Sequence, residues 1–183
     1  MNHAAFTELE SEATRLFGGL THTQFNWRPG PDRWSVAECI EHLNTIGYKL
    51  LPGIEEAIRE GHRRGRTGSP PFRHGLLGGL FVRTNAPIPA RKVKTLRVYV
   101  PTAGGNLDRD ETLERFRTLQ RELERQVRES DGLDLGRIRV ASPAVRWARF
   151  NLATWFDATH AHEQRHLRQA RAVTEEPAFP SAD

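Results

Sequence analysis

The sequence predicts an all-α fold: a four-helix bundle with a long crossover connection between its second and third helices. Three observations carry this expectation. Apolar residues recur at helical spacing in four separate stretches, and the second and third of these open on S-x-x-E and D-x-x-E capping signatures. The glycine- and proline-rich stretch between those two has no helical period. Each predicted helix has a single apolar stripe, and packing four together buries all the stripes at once.

The first helix is expected over roughly residues 3–17, where Phe6, Leu9, Ala13 and Leu16 share a face, and Gly18-Gly19 ends it. Residues 20–33 are turn-rich around Asn26-Trp27-Arg28-Pro29-Gly30-Pro31. Ser35 starts the second helix, its hydroxyl capping the first turn while Glu38 completes the capping box. The stripe then runs through Val36, Ile40, Leu43, Gly47, Leu50, Leu51, Ile54 and Ile58 to about Arg59, and Pro52 within it predicts a kink.

Residues 62–107 form the crossover, with an apolar patch from Leu76 to Val82 and an extended run from Val93 to Val100. The patch is too apolar to face water uncovered. It is expected either to fold back over its own bundle, as a strap and lid, or to pack against a second copy. The third helix begins near Asp108, where Glu111 makes a second capping box, with Leu113, Phe116, Leu119, Leu123 and Val127 as its stripe. After a turn over 130–143, the fourth helix covers about 144–174.

Composition bounds the function. Residues 1–183 are most simply one domain, large enough for a real core. No run approaches the roughly 18 apolar residues of a membrane span, and the N-terminal stretch mixes apolar with acidic positions, unlike a signal peptide. The single cysteine, Cys39, excludes an internal disulfide framework and fits a reducing, cytoplasmic setting. The pI near 9.8 comes almost wholly from arginine, since Lys49, Lys92 and Lys94 are the only lysines. The densest cluster, Arg59 to Arg66, has no aromatic interleaving and reads as a solvated loop, so no nucleic-acid partner is expected.

The candidate chemistry lies in His160-Ala161-His162-Glu163-Gln164-Arg165-His166. His162 and His166 stand four apart, so on a helix their imidazoles share a face and can grip one metal ion. On a wheel centred on Leu152, His166 and Glu163 fall inside the core stripe, His162 on one edge and His160 on the other. Two imidazoles and a carboxylate aimed at an apolar interior need partners, and a metal ion is an economical one. The candidates for a third ligand are His42, Cys39, Glu38 and Glu163; Glu38 is already explained by the capping box, and Cys39 by packing.

Three stretches, Asn26-Trp27-Arg28-Pro29, Trp34-Ser35-Val36-Ala37-Glu38-Cys39-Ile40-Glu41-His42-Leu43 and His162-Glu163-Gln164-Arg165-His166-Leu167 followed by Gln169, together resemble the DinB-like (YfiT-like) superfamily. That resemblance implies a bacterial four-helix bundle with a divalent metal, zinc or nickel, on His42, His162 and His166. Arg91-Lys92-Val93-Lys94 is similar to a crossover of some members. Characterised relatives include low-molecular-weight thiol S-transferases and a thiol-dependent isomerase, which implies a small-molecule substrate such as a thiol. Homodimers are common in the family, so pairing with a second copy through the apolar patch stands as the alternative to a strap over the chain's own bundle. A metal-dependent hydrolase using metal-bound water and a non-catalytic, metal-stabilised stress-response bundle are the alternatives.

The same letters spell H-E-x-x-H, the zinc-protease signature. Such a protease needs a further ligand after the motif and an edge strand for its peptide, whereas Glu175, Glu176 and Asp183 are the only carboxylates beyond His166. Glu163 has two candidate roles: general base on a metal-bound water, or hydrogen-bond partner of a ligand. Trp27, Trp34, Trp147 and Trp155 read as core and staple residues.

Overall fold

The computed structural model describes residues 4–88, 99–100, 106–145 and 147–182. Among them are six helices and one two-stranded antiparallel hairpin: α1 (Ala5–Phe17), α2 (His22–Asn26), α3 (Val36–Arg63), α4 (Gly75–Thr84), α5 (Arg109–Glu129), β1 (Arg139–Ala141), β2 (Arg149–Asn151) and α6 (Leu152–Thr174). No helix among the described residues is long and apolar enough to cross a membrane.

The long helices start where their caps place them. Ser35 accepts from the Glu38 amide while Glu38 accepts from the Ser35 amide, closing the expected box. Asp108 accepts from the Glu111 amide at 2.8 Å, and Asn151 caps α6 by accepting from the Thr154 amide at 2.8 Å. A cap of this kind contributes on the order of 1 kcal/mol. Helix α3 continues unbroken through Pro52, and Gln126 of α5 donates to the adjacent Leu51 carbonyl.

Helix α3 lies against α5 and α6, and α1 packs on the same two helices. Their stripes meet in one core that includes Phe6, Phe17, Phe116, Phe156, Leu43 and Ile54, all essentially inaccessible. Burial of each such side chain is worth roughly 1.5–3 kcal/mol. The α3–α5 crossing is closest at Gly47, where a Cβ would come within 2.3 Å of the Leu119 side chain. Glycine is there for approach rather than for flexibility.

Two expectations need correction. Helix α4 forms inside the stretch expected to lack helix: Gly75 takes φ 69° at its start, and Gly78 faces Thr154 of α6, where a Cβ would meet Oγ1 at 2.8 Å. Small residues, rather than a periodic stripe, let this helix sit on α6. The fourth long helix begins at Leu152 rather than near 144, because residues 149–151 pair with 139–141 in register Arg139↔Asn151, Val140↔Phe150, Ala141↔Arg149. Trp155 Nε1 donates to the Val140 carbonyl at 3.0 Å and fastens α6 to that hairpin.

The apolar patch at 76–82 divides. Phe81 folds back, stacking on Phe150 with centroids 4.5 Å apart and edge-on to Trp155 at 5.3 Å. Leu76, Leu77 and Leu80 instead face outward, from 60 to 96% exposed. Most of the expected extended run, and Arg91 to Lys94, lie outside the described residues.

Candidate metal centre

His42 comes from the second turn of α3, and His162 and His166 from successive turns of α6. The packing of α3 on α6 brings the three together, with one ligand nitrogen from each all within 4.8 Å of one another. His42 and His166 are buried and His162 is partly so. Nε2 of His42 faces Nε2 of His162 at 3.4 Å.

The protonation pattern suits ligation. Nδ1 of His42 lies 2.7 Å from the Tyr99 carbonyl, which can only accept, so Nδ1 carries the proton and Nε2 presents its lone pair to the cluster. Burial pushes the His42 imidazolium down to about 4 and that of His162 down to about 3, and it lowers His166 as well. All three rings are therefore neutral near pH 7, the form that binds metal. Nδ1 of His166 is buried and closes no hydrogen bond, although the Gln169 side chain is near enough to favour its protonated form. Neutral nitrogen donors converging with a buried orphan among them fit a divalent cation that accepts imidazole.

Trp34 backs the cluster. Its ring stacks on His166 at 5.7 Å and tilts against His42 at 4.9 Å, leaving these imidazoles little room to rotate. From its position Trp34 reads only as a staple; its place immediately before the Ser35 cap, about two turns ahead of His42, is the signal that was there. The Tyr99 carbonyl had no signal, because backbone groups leave none in a sequence.

Cys39 and Glu38 stay outside the cluster. Cys39 is fully buried, and burial raises its thiol well above the ordinary range. Glu38 Oε2 is taken by the Ser35 amide and by Arg28 Nε at 3.0 Å. Glu163 is 1% exposed; its Oε1 accepts from Gln120 Nε2 of α5 at 3.2 Å and its Oε2 has no partner. Burial pushes this carboxyl up to about 8. His160 points the other way and meets the edge of Phe6 at 6.0 Å.

The three histidines open onto a cavity of about 450 Å³. Leu43, Ile46 and Leu50 of α3 form one wall, Trp155 and Ala158 of α6 another, while Phe81, Ser142 to Val145 and Trp147 form the mouth. Trp147, expected in the core, is 86% exposed on that rim, because the hairpin turn carries it away from the helices.

No curated protein and no solved structure matches the chain. The family model of the DinB superfamily matches residues 5–170, a span that holds all three histidines and every described helix up to the last turn of α6, and the chain belongs to the DinB superfamily.

Proposed function

We propose that the protein is a metal-dependent enzyme, a low-molecular-weight thiol S-transferase whose zinc or nickel ion is held by His42, His162 and His166. The observation that carries this reading is the opening of the imidazole cluster onto an apolar, ligand-sized cavity. A purely structural metal would be sealed by side chains. On the same reading α1, α3, α5 and α6 are the family's four-helix bundle, and residues 64–108 are its crossover.

When bound, the ion supplies Lewis acidity that lowers the pKa of a thiol near it. The chain supplies the rest. The Tyr99 carbonyl keeps His42 in one tautomer, and Trp34 holds His42 and His166 in place. Leu43, Ile46, Leu50 and Trp155 exclude water and receive the apolar part of the electrophile. In the transfer a carbon–sulfur bond forms as the carbon–leaving-group bond breaks; the leaving group departs with the electron pair and the thiol proton goes to solvent. Glu163 contributes by bracing α6 on α5 through Gln120, a protonated carboxyl being a poor base.

The test is a panel of low-molecular-weight thiols with 1-chloro-2,4-dinitrobenzene, with and without added zinc or nickel. Turnover that requires both metal and His162 is expected. Silence across all thiols, with metal-dependent ester or amide cleavage instead, would move the assignment to a hydrolase; silence in both would leave a metal-stabilised bundle.

A further inference from the structure

Arg165 lies between the ligands His162 and His166 in sequence, on α6, and lines the same cavity. Many arginines of the molecule are matched with acids. On α5 alone Arg115, Arg117, Arg121, Arg125 and Arg128 each have a carboxylate partner. Arg165 has none among the described residues; its hydrogen bond is a long one, Nη1 to the Thr84 carbonyl at 3.3 Å. Arg165 thus lines the cavity together with His42, His162 and His166, with no described carboxylate paired to it.

The surrounding chain withholds an acid as well. From Gly61 to Leu107 the sequence contains no aspartate or glutamate, so none of the crossover that borders the cavity at Phe81, Thr84, Asn85 and Tyr99 can neutralise Arg165. Among the described residues the one carboxyl lining the cavity is Glu163, which is engaged by Gln120 on the α5 side. A half-buried guanidinium left without an anion is costly, and its planar fork matches a carboxylate or sulfonate in two parallel hydrogen bonds.

We propose that the cavity takes an amphipathic organic anion, with its apolar body between Leu43, Ile46, Leu50 and Trp155 and its carboxylate or sulfonate on Arg165. This rests on the reading of the cavity as a substrate site and names the class of the electrophilic substrate: an apolar or aromatic molecule carrying one negative group. Arg165 is then the residue that sets specificity, while the histidines set the chemistry.

The test is calorimetric binding of 2-naphthoate and of its uncharged counterpart 2-naphthamide to the protein as purified. Naphthoate is expected to bind at least ten-fold tighter than naphthamide. Arg165→Gln and Arg165→Met, the latter keeping the aliphatic stem, are expected to bring the two Kd values within about two-fold while leaving that of naphthamide nearly unchanged. Arg165→Lys is expected to keep a preference of at least three-fold. Equal binding of acid and amide by the unaltered protein would overturn the assignment. So would a preference that survives in both neutral variants, since the carboxylate would then be read by the metal or another group. No thiol or turnover enters these measurements, so a failed transferase assay and a failed naphthoate preference are separate results.

Discussion

The inner and outer ends of the cavity are built from different materials. The inner end is two long helices, α3 and α6, meeting across His42, His162 and His166, with Trp34 wedged behind the rings. The outer end is a ten-residue helix, α4, and the turn of a hairpin whose strands are three residues each, joined through the Phe81–Phe150–Trp155 aromatic contact. The inner end is braced on several sides, so the arrangement of the three imidazoles is fixed there. The outer end rests on one aromatic cluster and on Gly78 against Thr154, so it can vary, or yield, without disturbing the ligands.

Removing a ligand should break the inner end outright. His42→Ala or His166→Ala is expected to lower metal content from about one ion per chain to less than a tenth by elemental analysis, while His160→Ala leaves it unchanged. A ligand present at a thousand times its Kd stabilises by about 4 kcal/mol, which for a chain of this size corresponds to a melting shift on the order of 10 °C. Chelation is expected to produce a loss of that order in the unaltered protein and little in the variants.

Acid should find the same end in the metal-free protein. His42 and His162 take protons near pH 6.5 when unfolded but only near pH 4 and 3 when folded. The unfolded chain therefore binds more protons in between, and stability falls as pH is lowered from about 6.5. Glu163 acts in the opposite sense: raised from 4.5 to about 8, its contribution is complete below about pH 4.5 and is lost as pH rises toward 8. Chemical denaturation at several pH values is expected to show both limbs, with Glu163→Gln flattening the alkaline one and leaving the acid one.

The outer end should fail more gently. Phe81→Ala removes two aromatic contacts and is expected to cost about 1–2 kcal/mol in urea unfolding, with metal content intact. Trp34→Ala tests the inner end from behind, with an expected ten-fold faster loss of metal to a chelator at nearly unchanged folding. Smallest of all, Leu77→Asp on the exposed face of α4 is expected to shift stability by less than about 0.5 kcal/mol. The homodimer alternative is decided on the same variant: a dimeric mass by light scattering that Leu77→Asp halves supports it, and a monomeric unaltered protein removes it.

The inner end was legible in the sequence because its signals are local. A capping box fixes where α3 starts, and that start fixes the face His42 takes; the four-residue spacing fixes His162 against His166. Even the sides of Glu163 and His160 followed from helical period alone. The outer end was not legible, because nothing in it is periodic. Helix α4 is specified by glycines fitting another helix, which a single-helix wheel does not register. The strand at 149–151 is three residues long and exists through its partner at 139–141, so its residues read as a prolongation of the helix that follows. Arg165 was in plain view, but its meaning depends on which carboxylates are absent around it in space.

Cys39 has a consequence for the proposed thiol transfer. An accessible cysteine beside a substrate thiol would be open to mixed-disulfide capture under oxidising conditions, and the protein would disable itself. Here the only cysteine of the chain is sealed in the core with its thiol held protonated. A sulfur compound entering the cavity would meet no thiol of the chain, since Cys39 is sealed away from it.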